Sequence, residues 1–234
     1  MTQDSQTVKK RYHLIDLTRG VAVILMIIFH FTYDLDVFGF VDVEFFRPGF
    51  WYYLPRLIVT LFMFSVGVSM CMAHPGKIHP RPYLIRLAKI GIAALIISIS
   101  TYFMFPKNWI YFGTLHCIFF TTILVTPIRK KPWLSALLAL VILVLQMTPY
   151  AIPFPEMSHA SLDYIAVFPW AAVSMLGITF FHLKWYQIDY PQWKIMRFIQ
   201  FLGKHSFIIY VTHQLFLYSI VYIAYMIIKS APLL

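Results

Sequence analysis

DLTRGVAVILMIIFHFTYDLD, residues 16–36, is apolar enough for a bilayer and long enough to cross one, which takes about 20 residues. It nevertheless carries Asp16, Arg19, His30 and Asp34. At about 100° per residue these four fall within roughly 60° of one another on a helix. They form one polar stripe on an otherwise greasy segment. Ionisable groups inside a membrane span are costly, so they face a bundle interior or a wet cavity. His30 and Asp34 are one turn apart, so their side chains can meet. A carboxylate beside an imidazole orients it as a general base. The same stripe also serves as polar glue between helices, and spacing alone leaves both readings open.

The rest of the chain matches this opening. Of 234 residues, 60% are hydrophobic and 12% charged, against about a quarter charged in soluble domains. The mean hydropathy is +0.74. These values predict an all-α polytopic membrane protein. A net charge of +10 would suit a nucleic-acid binder, but the charges sit between apolar runs and build no basic soluble face, so no nucleic-acid partner is expected. Cys71 and Cys117 fall at different expected depths, which argues against a disulfide. Residues 1–12 read as a polar tail and 13–234 as one transmembrane domain without internal repeats. The first span is too long for a cleaved signal and is expected to stay.

Seven apolar spans are expected, at about 16–38, 53–73, 85–105, 110–127, 133–150, 164–181 and 206–228. Lys9, Lys10 and Arg11 precede the first. Lys77, Arg81, Arg86 and Lys89 lie near the second connection, Arg129, Lys130 and Lys131 near the fourth, and Lys184, Lys194, Arg197 and Lys204 near the sixth. The alternate connections are nearly free of cations. By the positive-inside rule the N-terminus is cytoplasmic and the C-terminus outside. QWKIMRFIQFLGK, residues 192–204, alternates basic and apolar faces and reads as a short helix on the cytoplasmic leaflet. The proline-rich stretch 148–164 reads as an outer loop.

Asp16 and Arg19 then sit at the inner interface and His30 and Asp34 in the outer half, with about 27 Å from Asp16 to Asp34. His116 lies at a depth from which it can approach His30. Ser206, Tyr210 and His213 share one face of the last span. Arg56, near the outer end of span two, has Asp34 or Asp163 as sensible partners, or snorkels at the interface. His74 and His79 sit in a proline-broken loop without nearby acids or thiols, a poor metal set, so no metal is expected.

Five stretches together resemble a known family: LIDLTRGVAVILMIIFHFTYDL, FMFSVGVSM, FGTLHCI, DYIAVFPWAAVSMLGI and LGKHSFIIYVTHQ. In this order they are similar to the heparan-α-glucosaminide N-acetyltransferase catalytic-domain family, above all its small bacterial members. The resemblance implies a transmembrane acyltransferase in a bacterial inner membrane. It would take acetyl-CoA from the cytoplasm and deliver the acyl group to a sugar amine or hydroxyl outside. The matches fall on Asp16, Arg19 and Gly20, on His30 and Asp34, and on His116, Phe168, Pro169, Trp170, Gly177 and His213. Large members carry a catalytic histidine in the first outer loop. Here no histidine occurs between His30 and His74, so either His30 takes that role or the chemistry differs.

On this reading His30, Asp34 and His116 are the catalytic candidates. Asp16, Arg19, Arg86, Lys89, Tyr210 and His213 are candidates for the CoA side, and Arg56, Asp163 and Trp170 for the acceptor. Acetyl-CoA is a co-substrate and no resident cofactor is expected. The bilayer, an acyl donor and a polar acceptor are the expected partners, with homo-oligomerisation left open. Two other readings use the same residues: a transporter or proton path along the stripe, and a scaffold in which polar residues only join helices.

Overall fold

The computed structural model describes residues 13–188 and 191–230. The tail 1–12, with Lys9, Lys10 and Arg11, lies outside them. Every regular element among the described residues is helical. In chain order they are α1 (His13–Val37), α2 (Phe50–Ala73), α3 (Pro80–Met104), α4 (Thr114–Val125), α5 (Pro132–Gln146), α6 (Trp170–His182), a 3₁₀ turn (Trp185–Gln187), α7 (Lys194–Lys204) and α8 (Ser206–Ser230).

α1, α2, α3 and α8 are long and apolar enough to cross a membrane. The three other expected spans are shorter than hydropathy implied. α4 has 12 residues, α5 has 15 and α6 has 13, so they reach only about 18–22 Å at 1.5 Å per residue, short of the ~30 Å hydrocarbon core. Non-helical chain leads into α4 and α6. Residues 105–113 lead into α4 and 151–169 into α6. Their backbone groups are satisfied by neighbours rather than by a helix: Leu162 donates to the Asn108 carbonyl at 2.9 Å and Ile165 to the Phe112 carbonyl at 3.0 Å. Ser98 donates to the Ile110 carbonyl at 2.7 Å and Thr101 accepts from the Ile110 N–H at 3.0 Å. Non-helical backbone at membrane depth is tolerated where protein encloses it in this way.

Three pairs of consecutive helices are antiparallel. Arg19 of α1 meets Ser69 of α2, so these two are antiparallel. Tyr83 and Ser98 of α3 meet Thr126 and His116 at opposite ends of the α4 segment. Thr179 of α6 reaches the Pro132 carbonyl at the start of α5 at 3.1 Å.

Two close approaches fix the centre. At Gly67 of α2 a Cβ would strike the Ser174 carbonyl of α6, and at Gly177 one would strike the Phe64 carbonyl. Ser174 also donates to the Met63 carbonyl at 2.6 Å. Around this contact Met70, Val125, Ala139, Met175 and Ile178 form an apolar core shared by four helices. α7 is seated on α1 in the same manner: a Cβ on Gly203 would strike the Asp16 carbonyl, and one on Gly20 the Ile199 carbonyl. The helix expected at 192–204 is therefore present, but it lies against the first turns of α1. Lys194, Arg197 and Lys204 remain exposed, beside Ile195, Phe198 and Phe201. α8 buries only Val221 among its described side chains.

Candidate functional site

α1 and α8 run in the same direction and bring two polar pairs together. The rings of His30 and His213 lie 4.8 Å apart, edge to face. One turn further out, the Gln214 side-chain amide donates to Asp34 Oδ1 at 2.9 Å. The expected His30–Asp34 hydrogen bond is not made: Asp34 is taken by the amide, and the neighbour of His30 across the seam is a second imidazole. Asp34 is 2% exposed, so its charge sits in a nearly closed space. The His213 Nδ1 faces the Tyr210 carbonyl at 2.6 Å. A carbonyl only accepts, so Nδ1 carries the proton and a neutral His213 presents Nε2 as a lone pair. Asp34 Oδ2, His213 Nε2 and Gln214 Oε1 are all buried without a hydrogen-bond partner among the described residues. Buried polar groups are nearly always paired. Three unpaired acceptors on one seam therefore mark a place where a hydrogen-bond donor can sit.

The wall beside this seam is the start of α4. Gly113 has no side chain to cap the helix, so two neighbours do it. The Asp163 carboxylate accepts from the Thr114 N–H at 2.9 Å and from the Thr114 hydroxyl at 3.1 Å. His116 Nδ1 accepts from the Gly113 N–H at 3.1 Å. Its Nε2 therefore carries the proton and donates to Ser98 at 3.2 Å. His116 thus caps its own helix, with both ring nitrogens occupied. Asp163 lies in the loop before α6. Tyr210 of α8 lies within electrostatic reach of Asp163, which joins the α4 cap to the α1–α8 seam.

At the other end of α1, Arg19 reaches Asp16 at 3.9 Å and donates to Ser69 of α2. Arg86 of α3 points into the same region, within electrostatic reach of Arg19, and makes no hydrogen bond or ion pair with any described residue. Among the described residues, two guanidinium groups and one carboxylate gather at this end of α1. Arg129 is different. It donates to the carbonyls of His74 at 3.3 Å, Thr126 at 3.1 Å and Gly76 at 2.8 Å, so it staples the α2–α3 loop to the end of α4. The buried His74 ring packs on Tyr83. Burial, then Arg86 and Arg129, lower its pKa. No group of three or more His, Cys, Asp or Glu suited to a metal occurs among the described residues.

The remaining candidates stand apart. Arg56 is exposed, stacks on Tyr52 at 3.8 Å and donates to the Tyr52 carbonyl. It pairs with neither Asp34 nor Asp163, because it lies on the outward face of α2. Trp170 packs with Val59, Met63 and Cys117. Lys89 is exposed on α3, facing α8. Cys71 and Cys117 are both buried and free. Gln214 and Ser69, both in contact with the stripe, stand out in sequence only as polar residues inside apolar runs.

The seam thus offers an imidazole pair and unpaired acceptors in one half of the bundle. Near the start of α1, Arg19 lies within electrostatic reach of Arg86 of α3. A model of the catalytic region of heparan-α-glucosaminide N-acetyltransferase matches residues 11–215, a stretch that includes both clusters. No curated protein and no solved structure matches the chain. By that match over most of its length, the chain belongs to the heparan-α-glucosaminide N-acetyltransferase catalytic family.

Proposed function

We propose that this protein is a membrane-embedded acyltransferase of a bacterial inner membrane. It takes an acetyl or other acyl group from cytoplasmic acyl-CoA and transfers it to an amine or hydroxyl of a sugar-like acceptor at the outer face. The N-terminus is cytoplasmic and the C-terminus outside. The observation that supports the reading is that α1 carries one member of each of two clusters, Arg19 beside Arg86 of α3 and His30 beside His213 of α8. Arg19 and Arg86 attract CoA phosphates at the cytoplasmic end. His30, about 16 Å further along α1, lies beside unpaired acceptors able to receive the N–H or O–H of the acceptor.

The acceptor's nitrogen or oxygen bonds to the acyl carbon and the carbon–sulfur bond breaks. The proton goes to His30, and the CoA thiolate leaves and is protonated. Alternatively His30 takes the acyl group first and passes it on. Asp34, held by Gln214, and His213 stabilise the charge that His30 gains. Tyr210, whose ring lies 5.7 Å from that of His213, supplies a hydroxyl for the developing oxyanion. Asp163 and His116 shape the wall by capping α4. Exclusion of water by the bundle limits wasteful thioester hydrolysis.

Titration of the purified protein with acetyl-CoA by calorimetry tests this. Saturable binding weakened at least tenfold by Arg86→Gln supports the reading. No heat with acetyl-CoA or longer acyl-CoA donors removes it. A transporter is the second reading, favoured by the non-helical legs that open α4 and α6 at depth. It predicts solute or proton flux in proteoliposomes lacking any acyl donor.

A further inference from the structure

α3 and α8 run side by side yet are only loosely joined: Tyr210 and Val211 of α8 rest on the Ile90, Ala93 and Ala94 cluster. Outside that contact lies an open groove of about 320 Å³. Ile92, Ala93 and Ile96 of α3 form one wall, and Phe207, Ile208 and Val211 of α8 the other. Lys89 is the one charged residue of the lining. It lies in the N-terminal half of α3, at the end of the groove nearer Lys77 and Arg81. It makes no ion pair or hydrogen bond with a described residue. Lys204, also exposed and without such a partner, precedes Phe207 by one turn.

We propose that this groove is a binding site for an anionic glycerophospholipid, with one acyl chain between α3 and α8 and the phosphate at Lys89. The inference is independent of the acyltransferase reading. An open apolar slot with a cation at one end is complementary to a lipid with a charged head. Anionic headgroups concentrate at the cytoplasmic leaflet, where basic side chains attract them. A second copy of the chain is a poorer match. The acids on the long helices are Asp16 and Asp34, both buried, and Asp36 at the far end of α1. A partner copy therefore brings no counter-charge to Lys89 within the membrane. The bound chain would close the α3–α8 seam, one side chain away from Tyr210.

Native mass spectrometry of the full chain tests the site, after purification in mild detergent and exposure to phosphatidylglycerol or phosphatidylcholine. The variants are Lys89→Gln, which removes the cation, and Thr212→Trp, which intrudes from the rim and leaves the charge unchanged. Leu140→Trp, on the exposed face of α5, is the control. The expected result is one retained phosphatidylglycerol in the wild type and control, with occupancy at least tenfold lower in both variants and no comparable retention of phosphatidylcholine. Equal retention in all four proteins, or equal retention of both lipids, overturns the proposal. So does displacement of the lipid by palmitoyl-CoA, which gives the groove to an acyl donor. A lipid-free dimer also overturns it, because it gives the groove to a second copy.

Discussion

At the scale of single residues, the Gln214–Asp34 contact separates a held carboxylate from an abandoned one. Gln214→Leu leaves both Asp34 oxygens buried without a donor. That costs about 1–3 kcal/mol, the penalty of an unsatisfied buried polar group. Thermal unfolding in detergent should show a lower midpoint, and Gln214→Glu should not restore it, because a second acceptor supplies no donor. His74 gives a pH dependence. Its pKa is lowered in the folded protein by burial and by Arg86 and Arg129, so folding favours the neutral ring. Its contribution is complete above about pH 6.5, the unperturbed value, and is lost as pH falls through the depressed folded value. Unfolding followed from pH 8 to 5 should show stability falling on the acid side, with a shallower fall in His74→Phe. The stripe of Asp16, Arg19, His30 and Asp34 was legible because ionisable residues are conspicuous in an apolar run. Their partners were not: Gln214 lies 180 positions from Asp34, and His213 displaced Asp34 as the neighbour of His30. Local spacing carries no information about either contact.

Among the elements, the short helices show where hydropathy stops being informative. The legs that lead into α4 and α6 contain Ile110, Tyr111, Phe112 and Ile165, apolar enough to be counted into a span. Hydropathy registers the side chains, whereas the backbone there is not helical and is bonded to Ser98, Thr101 and the neighbouring leg. The position of α4 depends on its borrowed cap. Asp163→Ala removes the acceptor for the Thr114 N–H and should cost about 0.5–2 kcal/mol, the usual loss on deleting a helix N-cap. Hydrogen exchange should then rise first in the opening turn of α4. At the α1–α7 contact, Gly203→Val places a side chain on the Asp16 carbonyl. Overpacking of this kind costs about 1–3 kcal/mol, and α7 should become the first segment open to protease. Gly20 and Gly203 could be named from sequence, but that they face each other is set by the turn at His205, which spacing did not reveal.

For the whole molecule, three pairs of consecutive helices are antiparallel, while sidedness and catalysis form one linked proposal. Arg19 and His30 lie on opposite sides of the middle of α1, so the proposed reaction requires an acyl group to travel along α1. The most direct measurement uses proteoliposomes with uniformly oriented protein, labelled acetyl-CoA on the side of Arg19 and Arg86, and glucosamine on the side of His30. Labelled acetyl product should appear only in the glucosamine compartment. It should fall at least a hundredfold with His30→Ala, the typical lower end of a general-base contribution, while acetyl-CoA binding by that variant is retained. Product on the donor side, or transfer undiminished in His30→Ala, would contradict the account.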